Sequence, residues 1–202
     1  MPDLLPALDA RPHALSENDC WLLSYYRTSE IDGAKFFSRI ADLVRTADLT
    51  AEVTQHFADE AQHAAIWTQC LTDLGERPLK IASSYQRQYF AEIGVPANLM
   101  EVMAITQVFE RRVIGQYRRQ LRYPGTHPRV REALDRIMAD ERWHLRYVRT
   151  ALDAMRVRYG DERVTDTIAR YTEADEAVYA RTLAEYGDRV AFLESDVRAL
   201  AG

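Results

Sequence analysis

Two hexapeptides 81 residues apart, Ala-Asp-Glu-Ala-Gln-His at 58–63 and Ala-Asp-Glu-Arg-Trp-His at 139–144, repeat one pattern. On a helix, residues three apart leave the same face about one turn apart, so each copy offers one oxygen and one nitrogen ligand together. Glu30 stands 30 residues before the first copy's Glu60, and Glu110 stands 31 before the second copy's Glu141. Each lies inside an apolar stripe at helical spacing, so four carboxylates and two imidazoles are spread over four segments. With 15 Glu and five His in 202 residues, chance predicts about 0.4 Glu-x-x-His pairs. One pair would therefore mean little; two with matched upstream Glu residues mean much more.

Periodicity makes these segments helical. Ser16 can cap a helix with Glu17 and Asp19 in its first turn, running to about Arg45 with Tyr26, Glu30, Gly33, Ala34 and Phe37 on its inner face. Asp48 or Thr50 can open a second helix that ends at Leu74 before Gly75, with His56, Phe57, Glu60, His63 and Trp67 inward. The short polar link at 46–49 makes these two antiparallel neighbours and brings Glu30 level with Glu60. Residues 75–95 contain a short helical pattern near Tyr85 to Glu92, and about 21 residues can span a helix of about 37 Å, so a long crossover is expected. Pro96 suits the first turn of a third long helix, which presents Thr106, Gln107, Glu110 and Tyr117 before Pro124-Gly125. A fourth runs from about Pro128 to Arg158 with Ile137, Glu141 and His144 inward. Residues 1–15, with three Pro, are expected to form an extended arm, residues 16–160 the bundle, and residues 161–202 a helical extension that caps it or forms a homodimer contact.

Charge narrows the functional classes. Net charge is −5, with 26 basic residues spread among 31 acidic ones, so no basic stripe points to nucleic acid or to an anionic membrane. The apolar runs are short, and Met-Pro-Asp-Leu-Leu-Pro lacks the basic flank and apolar stretch of a secretory signal, so a soluble cytoplasmic protein is expected. Cys20 and Cys70 are too few for a disulfide framework or a Cys-x-x-Cys knuckle and read as buried thiols. Four ionised Glu on buried faces would be prohibitively unfavourable without cations. Two divalent ions would neutralise them, and mixed oxygen and nitrogen ligation suits two iron ions, with manganese or a mixed manganese–iron pair also compatible.

Glu30, Glu60, His63, Glu110, Glu141 and His144 together resemble the ligand set of the ferritin-like di-iron carboxylate superfamily, over about residues 17–158. The resemblance implies an all-α, ferritin-like four-helix bundle with a long crossover between helices two and three and extra C-terminal helices. It implies that Glu60 and Glu141 bridge the metals, with Glu30 and His63 completing one and Glu110 and His144 the other. It further implies a crossed outer arrangement in which Asp140 holds His63 and Asp59 holds His144, where the bland reading is two solvated surface Asp residues. The expected activity is a non-haem di-iron oxidoreductase that activates O2 to oxidise or oxygenate a small organic substrate. The alternatives are a rubrerythrin-like peroxidase or ferroxidase acting on peroxide or iron, and an iron-storage subunit. Rubrerythrins usually add an iron site of Cys-x-x-Cys pairs and a further carboxylate near the position of Gln107; neither is present, so electrons must come from a separate donor.

Tyr26, Gly33, Ala34, His56, Thr106, Gln107 and Tyr117 are the residues expected around a pocket beside the metals. His56 has no counterpart in the second copy, where Ile137 stands, so a satisfied interior histidine is the first reading and a third imidazole ligand or proton carrier the second. Tyr26, Tyr117, Trp67 and Trp143 can relay electrons, although aromatic residues at helical spacing are more often packing. Glycine inside a helix costs about 1 kcal/mol relative to Ala, so Gly33, expected beside Glu30, calls for a reason. Space for oxygen or substrate is one, and close helix packing is the other.

Overall fold

The computed structural model describes residues 15–193, so most of the expected N-terminal arm and the end of the C-terminal extension lie outside the described residues. Among those residues there are six α-helices and no strand: α1 Glu17–Leu43, α2 Ala47–Asp73, α3 Tyr85–Ile93, α4 Leu99–Arg122, α5 Pro128–Tyr159 and α6 Asp161–Tyr186. Two 3-10 turns, Gly187–Arg189 and Ala191–Leu193, follow α6. Among the described residues, no helix is long and apolar enough to cross a membrane.

The helix ends follow local chemistry. Ser16 and Asp19 form a reciprocal capping box, Ser16 Oγ accepting from Asp19 N at 3.1 Å and Ser16 N donating to Asp19 Oδ2 at 3.1 Å. Gly75, at φ 79°, adopts the left-handed conformation that ends α2. Two expected starts are corrected. Thr46, rather than Asp48 or Thr50, occupies the N-cap of α2. Asn98 caps α4 by accepting from Glu101 N at 3.1 Å, so Pro96 precedes the helix rather than opening it. Phe57 is a third correction: it is 36% exposed, because His56 takes the inward position beside it.

Side-chain pairs set the helix directions. Arg27 meets Thr68 and Phe37 meets His56, which makes α1 and α2 antiparallel. His56 meets Tyr147 and Cys70 meets Arg129, so α2 and α5 are antiparallel too. Tyr26 bonds Gln120 and Tyr117 bonds Glu30, so α4 runs opposite to α1. The α1 and α4 backbones do not approach as the other neighbouring pairs do; these long side chains bridge a gap.

Two apolar clusters fill the interior. One gathers Leu23, Trp67, Leu71, Leu134 and Ile137, and the other Val53, Met103, Val148, Leu152 and Val164. The helix centres between them carry the repeated Glu and His residues. The chain beyond residue 160 continues this packing, since Val164, Tyr171 and Val178 of α6 belong to the second cluster. Buried Asp175 ties α6 to its neighbours, accepting from Tyr85 Oη at 2.7 Å and from Arg112 Nε at 2.9 Å.

Candidate metal centre

Where α1, α2, α4 and α5 pass their midpoints, seven titratable side chains converge in two groups. Glu30, His63 and Glu141 form one; His56, Glu60, Glu110 and His144 form the other. Within each group the candidate ligand atoms lie within 4.8 Å of one another, and all seven residues are buried. Glu141 spans the groups, with Oε1 3.4 Å from His63 Nδ1 and Oε2 3.4 Å from His144 Nδ1. Glu60 differs from the expected symmetry: its Oε1 is 3.2 Å from His56 Nε2, and its Oε2 turns toward Gly33.

The outer partners are crossed between α2 and α5. His63 Nε2 lies 3.2 Å from Asp140 Oδ2, and His144 Nε2 lies 3.2 Å from Asp59 Oδ2. Each Asp is one residue before its own helix's Glu, about 100° around the helix, and so reaches the neighbour. Gln55 Nε2 donates to Asp59 Oδ1 at 2.6 Å, and the Tyr117 hydroxyl donates to Glu30 Oε1 at 2.7 Å.

Burial opposes charge on Glu60, Glu110, Glu141 and the three histidines, and mutual interactions decide where their protons reside. Burial, with the charges of Glu30 and Glu141, pushes Glu60 well above the usual carboxyl range. Burial and Glu141 do the same to Glu110. Glu141 goes down despite burial, because Glu110 and the two imidazoles favour its ionised form. Burial works against charge on His63, yet Glu30, Glu141 and Glu60 raise it to about 10; Asp59 and Glu141 raise His144 to about 9 against the same penalty. His56 is held neutral, first by burial and then by the other two imidazoles.

Two observations test whether these residues suit divalent ions. His63 Nδ1 is buried without a hydrogen-bond partner, although Glu30 Oε2 and Glu141 Oε1 lie 3.7 and 3.4 Å away. Ligands bound at about 2.1 Å and at right angles stand about 3 Å apart, so atoms at these separations are spaced as neighbours around one ion. A Cβ at Gly33 would lie 1.9 Å from Glu60 Oε2. The glycine therefore makes room for the Glu60 carboxylate, a candidate ligand that stands directly over it. These buried Glu and His residues could therefore hold a metal ion.

The same carboxylates form one wall of a cavity between α1 and α4, enclosing about 1150 Å³ of space, part of it open to solvent. Glu30, Glu60, Glu110 and Glu141 line it, while the three histidines lie behind them. Tyr26, Gly33, Thr106 and Tyr117 also line it. Ala34 and Gln107 are buried but stand off the wall, each one residue, or about 100°, beyond a lining neighbour. His56 belongs to the cluster of candidate ligands rather than to the cavity wall. The remaining wall is largely aromatic, with Tyr25, Phe36, Phe90, Phe109 and Tyr186. Its α3 and α6 portions were not legible as pocket walls, because periodicity does not say where those helices dock. Tyr147 was also missed, although its place three residues after His144 on the inner face is a visible signal.

No protein-family model matches the chain, and neither a curated protein nor a solved structure is similar enough to count as a match.

Proposed function

We propose that the chain is a di-iron oxidoreductase of ferritin-like architecture that activates O2 against an apolar organic substrate held between α1 and α4. The antiparallel pairs α1/α2 and α4/α5 support that architecture, with residues 74–98 as the crossover between helices that run in the same direction. One observation carries the functional reading: the four carboxylates of the cluster face a largely aromatic cavity, while the imidazoles face their Asp and Tyr partners behind.

Two ferrous ions, when bound, would supply electrons and open coordination positions to O2. Glu30, His63 and Glu141 would hold one, and Glu110, His144 and Glu60 the other. Asp140 and Asp59 orient the imidazoles, and Tyr117 fixes Glu30 by donating to Oε1. The aromatic wall limits water near the reacting position, which strengthens electrostatic interactions there. Ser29 Oγ and Gln86 Oε1 belong to lining residues and are buried without hydrogen-bond partners, which favours a substrate with one polar group on an apolar body.

Val113 offers a test, because it lines the cavity one turn beyond Glu110 without belonging to the cluster. Val113→Trp should keep two metals per chain by elemental analysis and still consume O2, but yield little organic product. Wild-type protein that takes up no iron or manganese when reconstituted without oxygen would overturn the metal reading. Iron or peroxide turnover that Val113→Trp leaves unchanged, with no organic product in either protein, would select the ferroxidase or peroxidase alternative.

A further inference from the structure

The repeat gives His56 no role, since Ile137 stands at the corresponding position of the second copy. Its geometry nevertheless matches that of the two repeated histidines. His63 and His144 each set Nε2 against an Asp and turn Nδ1 toward two Glu residues. His56 sets Nδ1 2.7 Å from the Tyr147 hydroxyl and turns Nε2 toward Glu60 Oε1 at 3.2 Å and Glu110 Oε1 at 3.3 Å. The inward nitrogen differs, but the arrangement is the same: one nitrogen on an oxygen partner and one facing two carboxylates. The ring is fully buried and stacked between Phe37, at 3.7 Å and 18°, and His144, at 3.6 Å and 8°. It has no room to swing away.

A neutral imidazole has one N–H and one lone pair. If Tyr147 donates to Nδ1, Nε2 carries the proton and donates to the carboxylates. If Tyr147 accepts from Nδ1–H, the Nε2 lone pair faces the Glu60 and Glu110 carboxyl oxygens, and a cation between them can bind all three groups.

We propose that His56 is a third imidazole ligand, oriented by Tyr147, and that it makes the two metal positions chemically unequal. One position has Glu60, Glu110, His144 and His56; the other has Glu30, His63 and Glu141. The proposal rests on the two-metal reading above. Late first-row ions gain most from added nitrogen ligation, so Co2+ fills the first position before the second.

Calorimetric titration of the metal-depleted full-length chain with Co2+ tests this. Wild type should bind two ions in separate steps. His56→Ala should weaken the tighter step by more than about 100-fold and keep the other, while Tyr147→Phe, which removes only an orienting partner, should weaken it by about 10- to 100-fold. A His56→Ala protein that binds both ions as wild type does would overturn the third ligand and leave the two-metal reading standing. Wild type that binds no Co2+, Mn2+ or iron would overturn both. Pulsed electron paramagnetic resonance of wild type with one equivalent of Cu2+ needs no variant to fold. Two coordinated imidazoles are expected, and a single one would overturn the proposal.

Discussion

A Cβ at Gly33 would stand 1.9 Å from Glu60 Oε2, so the α1 backbone occupies the position from which any other side chain would push a candidate ligand aside. Ala is about 1 kcal/mol more favourable than Gly inside a helix, and the carboxylate it would displace is the movable end of a side chain. Gly33→Ala should therefore leave the thermal midpoint of metal-depleted protein unchanged or slightly higher, while metal affinity measured by calorimetry falls. A fall in both together would mean that helix packing dominates there. Asp59 and Asp140 make equivalent contacts in unequal surroundings: their side chains are 15% and 43% exposed, and Gln55 also holds Asp59. Loss of such a partner typically costs 10- to 100-fold in metal affinity, or about that range here. Asp59→Asn should fall toward the upper end and Asp140→Asn toward the lower, with helical circular dichroism retained in both. Equal, wild-type affinities would reduce both Asp residues to surface charges.

Among the elements, α6 supplies no member of the ligand cluster but closes the cavity, and Asp175 is its anchor. The Arg112 guanidinium lies 3.9 Å over the Tyr179 ring while it pairs with Asp175, so α4, α6 and the Tyr85 hydroxyl of α3 meet at one buried carboxylate. Breaking a buried pair leaves an uncompensated charge, typically at 3–5 kcal/mol; with the Arg112 side chain 22% exposed, a value of about 3 kcal/mol is expected for Asp175→Ala. Urea unfolding measures it. Metal content should stay at the wild-type level, because no ligand contact is touched. The helices themselves were legible: Ser16, Gly75 and Pro128 mark their ends by local chemistry. The start of α2 was not, because Asp48 and Thr50 are equally good capping residues by type, and only the path of the chain selects Thr46.

For the whole molecule, the cluster makes stability depend on pH in a definable way. The folded state holds protons on His63 up to about pH 10 and on His144 up to about pH 9, against an ordinary value of 6.5. Between 6.5 and those values the folded chain binds more protons than the unfolded chain, so metal-depleted protein loses stability as pH rises. Glu60 and Glu110, also raised, act in the same direction from pH 4.5 upward. His56 acts oppositely: kept neutral when folded, it removes stability as pH falls below 6.5. Bound metals would replace the protons on His63 and His144, so the thermal midpoint of metal-loaded protein should vary little from pH 7 to 9, where that of metal-depleted protein declines. Parallel midpoints across that range would show that cations do not occupy the cluster.

The sequence alone determined the chemistry on each helix face, because helical period is local: Glu60 with His63, Glu141 with His144, and Glu30 and Glu110 inside apolar stripes follow from spacing within a few turns. Tertiary structure decided which faces meet. The Glu60 carboxylate against Gly33, His56 against Tyr147, and the opening of the cluster toward a cavity closed by α3 and α6 all join residues far apart in the chain. A repeat in sequence announces symmetric ligands, but it says nothing about a residue such as His56 that breaks the symmetry, since apart from Glu60 its partners Phe37, Glu110, His144 and Tyr147 come from neighbouring helices.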